Sequence, residues 1–124
     1  DMLWYAESIE SEFSFKDEEY SLSTDVTVVD NGGDLTVTSC TVADCVRVDQ
    51  QGNKFLAAGA AVRGGNKIWH STRQYSRYNT PAHEFGHILG FGHQPDGSER
   101  IMSYDNYRVV GRFETEKLIK AYGN

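Results

Sequence analysis

Residues 83–93 read His-Glu-Phe-Gly-His-Ile-Leu-Gly-Phe-Gly-His, three imidazoles with one carboxylate between the first two. Histidines four apart on a helix project from one face, so His83 and His87 can grip a single ion. A third imidazole one more turn along a straight helix would point elsewhere. Gly90 removes that difficulty, because glycine reaches positive φ, ends the helix and lets the chain swing His93 back to the ion. Three nitrogen ligands suit zinc, at about 2.0–2.1 Å, and leave a fourth position for water. Glu84 is outside the ligand set, and its carboxylate can reach that water. Water acidified by a metal, with a base beside it, is a nucleophile for a peptide carbonyl. At this composition the five fixed residues of H-E-x-x-H-x-x-G-x-x-H occur by chance with a probability on the order of 10⁻⁵. Solvated histidines beside a fortuitous glutamate are a poor account of them.

These side chains need a helix that starts and stops in the right places. Thr80 reads as its N-cap, Pro81 suits the first helical position, and the pattern runs through Leu89 to the stop at Gly90. Upstream, Met2, Tyr5, Ala6, Ile9 and Phe13 recur at helical spacing and predict an amphipathic helix over residues 1 to about 14, with Trp4 to Phe13 as its core stripe. An acidic linker, Lys16 to Tyr20, follows. From Asp25 the period becomes two: Val26–Val29 and Leu35–Thr38 flank Asp30-Asn31-Gly32-Gly33-Asp34 as a hairpin. Further strands are expected at Val46–Val48, Phe55–Val62 and Lys67–Ser71, punctuated by Gln51-Gly52-Asn53 and Gly64-Gly65-Asn66. The oxygens of Asp30, Asn31 and Asp34 are a conceivable calcium site, but a plain turn explains them. A last helix is expected over Glu114 to Tyr122. This order is α+β.

The chain has 124 residues, room for one domain. A net charge of −6 and no basic run argue against a nucleic-acid partner. The longest apolar run, Phe55–Val62, is far shorter than the roughly 20 residues of a membrane span. The first residue is Asp1 rather than Met, as in a trimmed or mature form. Cys40 and Cys45 are the only cysteines. Their close pairing predicts a disulfide and an oxidising, extracellular compartment; two unrelated buried thiols are the alternative.

Residues 83–93 resemble the consensus of the metzincin clan of zinc peptidases. That clan places a turn downstream whose methionine floors the metal site, and Arg100-Ile101-Met102-Ser103-Tyr104 matches it. His-Glu-Phe-Gly-His and the short spacing to Met102 resemble the matrixins. Met-x-Tyr resembles astacins and serralysins, in which the tyrosine lies near the zinc and helps stabilise the transition state. The resemblance implies a twisted, mostly parallel sheet, an active-site helix, and a small C-terminal subdomain (91–124) across a cleft from residues 1 to about 90. It implies an edge strand that binds extended substrate, at Ala57–Val62 or Lys67–Ser71, and a pocket wall from Tyr104 to Val110. The matrixin loop that holds structural zinc and calcium has no match here; His70 reads as an ordinary strand residue. The expectation is a secreted, monomeric zinc endopeptidase acting on protein or peptide, with His83, His87 and His93 as ligands, Glu84 as base and Tyr104 as oxyanion donor. A zinc-binding interaction domain and a hydrolase of non-peptide amides are the rivals.

Overall fold

The computed structural model describes residues 3–40, 46–48, 50–56, 59–71, 79–105 and 107–122. Among the described residues three helices, α1 (Leu3–Glu12), α2 (Thr80–Ile88) and α3 (Arg112–Tyr122), accompany seven short strands: β1 (Phe15–Lys16), β2 (Ser21–Leu22), β3 (Thr36–Cys40), β4 (Val46–Val48), β5 (Lys54–Leu56), β6 (Gly59–Ala61) and β7 (Lys67–Ser71). The fold class is α+β. The central sheet has the order β3–β7–β6, with β3 parallel and β6 antiparallel to β7. It is therefore mixed rather than mostly parallel among the described strands. β1–β2 and β4–β5 form two separate antiparallel ribbons.

α1 buries Tyr5, Ala6 and Ile9, and Phe13 follows at the same spacing, fully buried. That stripe faces the sheet and α2: Tyr5 lies against the ring of His70 on β7, and Phe13 meets Phe85 of α2 edge-on at 5.4 Å. Trp4 is outside it, 42% exposed, contrary to its expected place in the core. From here the core continues through Ile68, Ala82, Phe91, Ile101, Met102, Val110 and Leu118.

Three expectations need correction. Residues 26–29 do not form a strand, and no hairpin encloses residues 30–34. The amide of Val26 donates to Glu10 Oε2 at 2.8 Å, Val28 and Val29 are exposed, and β3 finds its partner in β7 instead. A run of β-branched residues becomes a strand only where a pleated neighbour receives it. The segment taken for a solvated linker is a tight hairpin, β1–β2. Asp17 holds its turn by accepting the amides of Glu19 and Tyr20 at 2.8 and 2.7 Å. Lastly, the N-cap of α2 is Asn79, not Thr80, and it caps with no side-chain bond. The Asn79 side chain is engaged elsewhere, with Arg108. The expected strand over 55–62 is divided between β5 and β6, with 57–58 outside the described residues. The Cys40–Cys45 pairing also lies outside them.

α3 begins two residues before the expected start, on the N3-to-N-cap half of a capping box. Glu114 returns to the Gly111 amide at 2.8 Å, and Thr115 Oγ1 donates to the Gly111 carbonyl at 2.9 Å. Glu114 is fully buried, its second oxygen Oε2 has no partner, and burial pushes its carboxyl up from the usual range. A carboxyl raised by folding contributes most below its unfolded pKa, and that contribution is lost as pH rises through the folded one. Glu114→Gln keeps an acceptor for Gly111 without the buried charge. It should therefore gain on the wild type in melting temperature between pH 4 and pH 7, whereas Glu114→Ala should cost about 1 kcal/mol through the lost cap. Thermal melts at the two pH values check both.

Candidate metal centre

His83, His87 and His93 come together as the sequence pattern requires. One ring nitrogen from each lies within 4.8 Å of the others, and among the described residues this is the one group of three or more His, Cys, Asp or Glu to converge so. His83 and His87 sit one turn apart on α2. Leu89 is the C-cap, and Gly90 at φ 101° turns the chain back, its amide bonded to the His87 carbonyl at 2.9 Å. Phe91 then bonds to Gly86 and buries its ring, which leaves His93 facing the helix. The β6–β7 turn braces this return: Gly64 donates to the His87 carbonyl at 2.8 Å, and Arg63 Nε to the Gly90 carbonyl at 2.8 Å.

The donor set fits a metal of borderline softness. His83 Nδ1 donates to the Ile101 carbonyl at 2.7 Å and His87 Nδ1 to the Phe91 carbonyl at 2.9 Å. Those bonds fix the tautomers and turn both Nε2 lone pairs toward the centre. His87 Nε2 and His93 Nε2 are 3.2 Å apart, close to the roughly 3.3 Å edge of a tetrahedron with 2.0–2.1 Å bonds. Burial lowers all three imidazole pKa values, that of His83 to about 3, so the ligands are neutral near pH 7. Neutral imidazoles favour transition metals over calcium or magnesium.

Glu84 is buried beside this cluster, and burial pushes its carboxyl up to about 7 against the opposing pull of Arg108. Tyr104 reaches the ligands from the loop beyond α2: its hydroxyl is 2.7 Å from His93 Nε2, and its ring stays 57% exposed. His70 is apart from the site, 3.1 Å from Ser39 Oγ and against Trp4 and Tyr5.

Met102 is fully buried beneath α2. Asp105 shapes its turn, accepting from the Gly97 and Glu99 amides at 2.8 Å and from Ser103 Oγ at 3.0 Å. Those bonds hold the carboxyl of Asp105 below the usual range. They also hold Glu99 at φ 56°, a left-handed conformation costly for a residue with a Cβ.

Sequence reasoning missed Arg108, which is 4% exposed. Its Nε donates to Asn79 Oδ1 at 2.9 Å and its Nη1 to the Ser103 carbonyl at 2.6 Å, while Asn79 Nδ2 donates to the Arg108 carbonyl at 3.0 Å. Nη1 is also 3.2 Å from His83 Nδ1. Since that nitrogen already donates to Ile101, Arg108 meets it as a cation and depresses its basicity. Nothing in a lone arginine after a turn announces burial; the Asn79 that receives it is equally plain in sequence.

No protein-family model, curated protein or solved structure matches the chain.

Gly86 is the point where the turn and the helix touch. A Cβ there would collide with Met102 Sδ. In an exposed helix Gly→Ala gains up to about 1 kcal/mol; here overpacking costs about 1–3 kcal/mol or more and dominates. Gly86→Ala should lower the melting temperature and weaken metal retention, and Met102→Ala in the same chain should restore part of both. Calorimetry and metal titration check this; a more stable Gly86→Ala protein would contradict it.

Proposed function

We propose that the chain is a zinc-dependent endopeptidase of metzincin-like fold, with His83, His87 and His93 as ligands and Glu84 as general base. The observation that carries this reading is the convergence of three neutral imidazoles, two of them oriented by backbone carbonyls, with a buried carboxylate next to them in sequence but outside the ligand set. Met102 beneath α2 agrees with the metzincin turn. When bound, zinc supplies Lewis acidity, which acidifies water and polarises the scissile carbonyl. Glu84, with its carboxyl raised to about 7, takes the proton of the attacking water and returns it to the leaving amine. The Tyr104 phenol donates a hydrogen bond to the developing oxyanion, a contact strongest in the transition state.

An extended peptide substrate needs a free strand edge. β7 is flanked on both sides, whereas among the described residues β6 pairs with β7 alone. Of the two segments the resemblance allows, β6 therefore suits substrate pairing. Protein or peptide as substrate, a monomeric enzyme and an extracellular location belong to the same reading, the last through the closely spaced Cys40 and Cys45.

Cleavage of casein that stops with a chelator and returns with zinc is the first test. The Glu84→Ala protein should retain one equivalent of zinc yet lose on the order of 10²–10⁴-fold in rate. Zinc without cleavage in the wild type would favour a binding domain. Cleavage by a clean Glu84→Ala preparation would remove Glu84 from the mechanism.

Tyr104→Phe separates an oxyanion donor from a pocket wall. The position of its hydroxyl at His93 supports the first role. The variant should lower kcat by about 10–10³-fold with KM little changed, because only transition-state binding is lost. Steady-state kinetics on a quenched peptide reads both constants, and a wild-type kcat would assign Tyr104 to the wall.

A further inference from the structure

Gly59 sits in β6 under a constraint that its backbone does not explain. It is not among the positive-φ glycines, so no left-handed turn calls for it. Glycine weakens a strand, through lost entropy and a missing side chain, unless something approaches its Cα closely. What approaches is Glu84. A Cβ at Gly59 would lie 3.1 Å from Glu84 Oε2, 3.3 Å from Glu84 Cγ and 3.1 Å from the Trp69 carbonyl oxygen.

We infer that Gly59 is a positioning residue for Glu84: its bare Cα is the seat on which the carboxylate rests against the edge strand. Of the two neighbours a methyl group would press, the Trp69 carbonyl cannot recede. It belongs to β7, which is paired in register with Thr38 of β3 on one side and Ala60 of β6 on the other. The Glu84 atoms are the far end of a rotatable side chain, so the carboxylate yields. Its displacement would be a few tenths of an ångström, away from β6. Such a shift leaves the ligands untouched: His83 and His87 are fixed from the Ile101 and Phe91 carbonyls, on elements that do not include Gly59. The same glycine also keeps the edge strand smooth where the proposed substrate would lie. The effect is thus specific to the proton-transfer step. Misplacing a reacting group by about 1 Å can cost on the order of 10²-fold.

This inference rests on Glu84 as general base, and a double-mutant cycle tests it in the zinc-loaded full chain. Gly59→Ala should lower kcat on a quenched peptide by about 10-fold or more, with KM within about twofold and zinc content unchanged. In the Glu84→Gln background the same change should alter the residual rate by less than about twofold, since the group it displaces no longer carries the reaction. A wild-type kcat in Gly59→Ala, or an equal loss in both backgrounds, would overturn the proposal and leave Gly59 a merely structural residue. If Gly59→Ala does not fold, Gly59→Ala with Glu84→Asp decides. The shorter carboxylate vacates the contact and should restore folding, whereas a clash with Trp69 alone would persist. A crystal structure of the variant needs no turnover: a displaced Glu84 carboxylate with β6–β7 register kept supports the seat, and a carboxylate in place beside a shifted β6 overturns it. Should the wild type cleave no peptide, the endopeptidase reading falls while the crystallographic result still decides where Glu84 rests.

Discussion

A metal-binding imidazole has two nitrogens, and in a buried site the one that faces away from the ion must still find a partner. His83 gives its Nδ1 proton to the Ile101 carbonyl at 2.7 Å and His87 gives its own to Phe91 at 2.9 Å. Without those acceptors each ring could rotate or exchange tautomers, and the lone pairs would not converge. Much of the C-terminal third serves to put the two carbonyls in place. Phe91 arrives through the positive φ of Gly90. Ile101 arrives because the turn that carries it packs Met102 against Gly86, draws its amide to the Val109 carbonyl at 2.8 Å, and is wound around Asp105. The helix supplies two ligands; the loop beneath it gives them direction.

How legible this was depended on the range of the interaction. His83, Glu84, His87, Gly90 and His93 could be read because helical spacing and glycine stereochemistry are local, and eleven consecutive residues contain the whole pattern. The amphipathic stripe of α1 was equally local. The orienting carbonyls were not legible, because backbone acceptors carry no sequence signature and Ile101 is eighteen positions beyond His83. Val26–Val29 misled for the complementary reason. Alternation and β-branching describe a segment's fitness for a sheet, while membership depends on a neighbour, and the neighbour of β3 turned out to be β7. Asn79 caps α2 without a side-chain bond because a tertiary partner, Arg108, has claimed its side chain. Gly59 was visible in sequence only as an interruption of an apolar run; the Glu84 carboxylate above it comes from twenty-five residues later.

Arg108 shows how one buried charge can act on both halves of the chemistry. It is solvated by protein dipoles, the Asn79 amide oxygen and the Ser103 carbonyl, and the returning bond from Asn79 Nδ2 locks the start of α2 to the segment after the turn. Its charge falls on His83, where it adds to burial in holding the imidazole neutral, and on Glu84, where it opposes burial. For His83 the two effects share a sign, so protons do not compete with a metal for the ring near pH 7. For Glu84 they differ, and burial prevails by enough to bring the carboxyl up to about 7, the range in which a base both accepts and returns a proton readily. The same cation must repel a dication held by His83. That repulsion is tolerable: two unit charges 4 Å apart exchange about 4 kcal/mol at an effective dielectric near 20, so a cation and a dication exchange about 8 kcal/mol at that separation, against the about 10–16 kcal/mol that zinc chelation contributes in small zinc domains. Under the proposed function, Arg108 would therefore weaken metal affinity without abolishing it, while keeping His83 ready as a ligand and Glu84 from being wholly neutralised by its own burial.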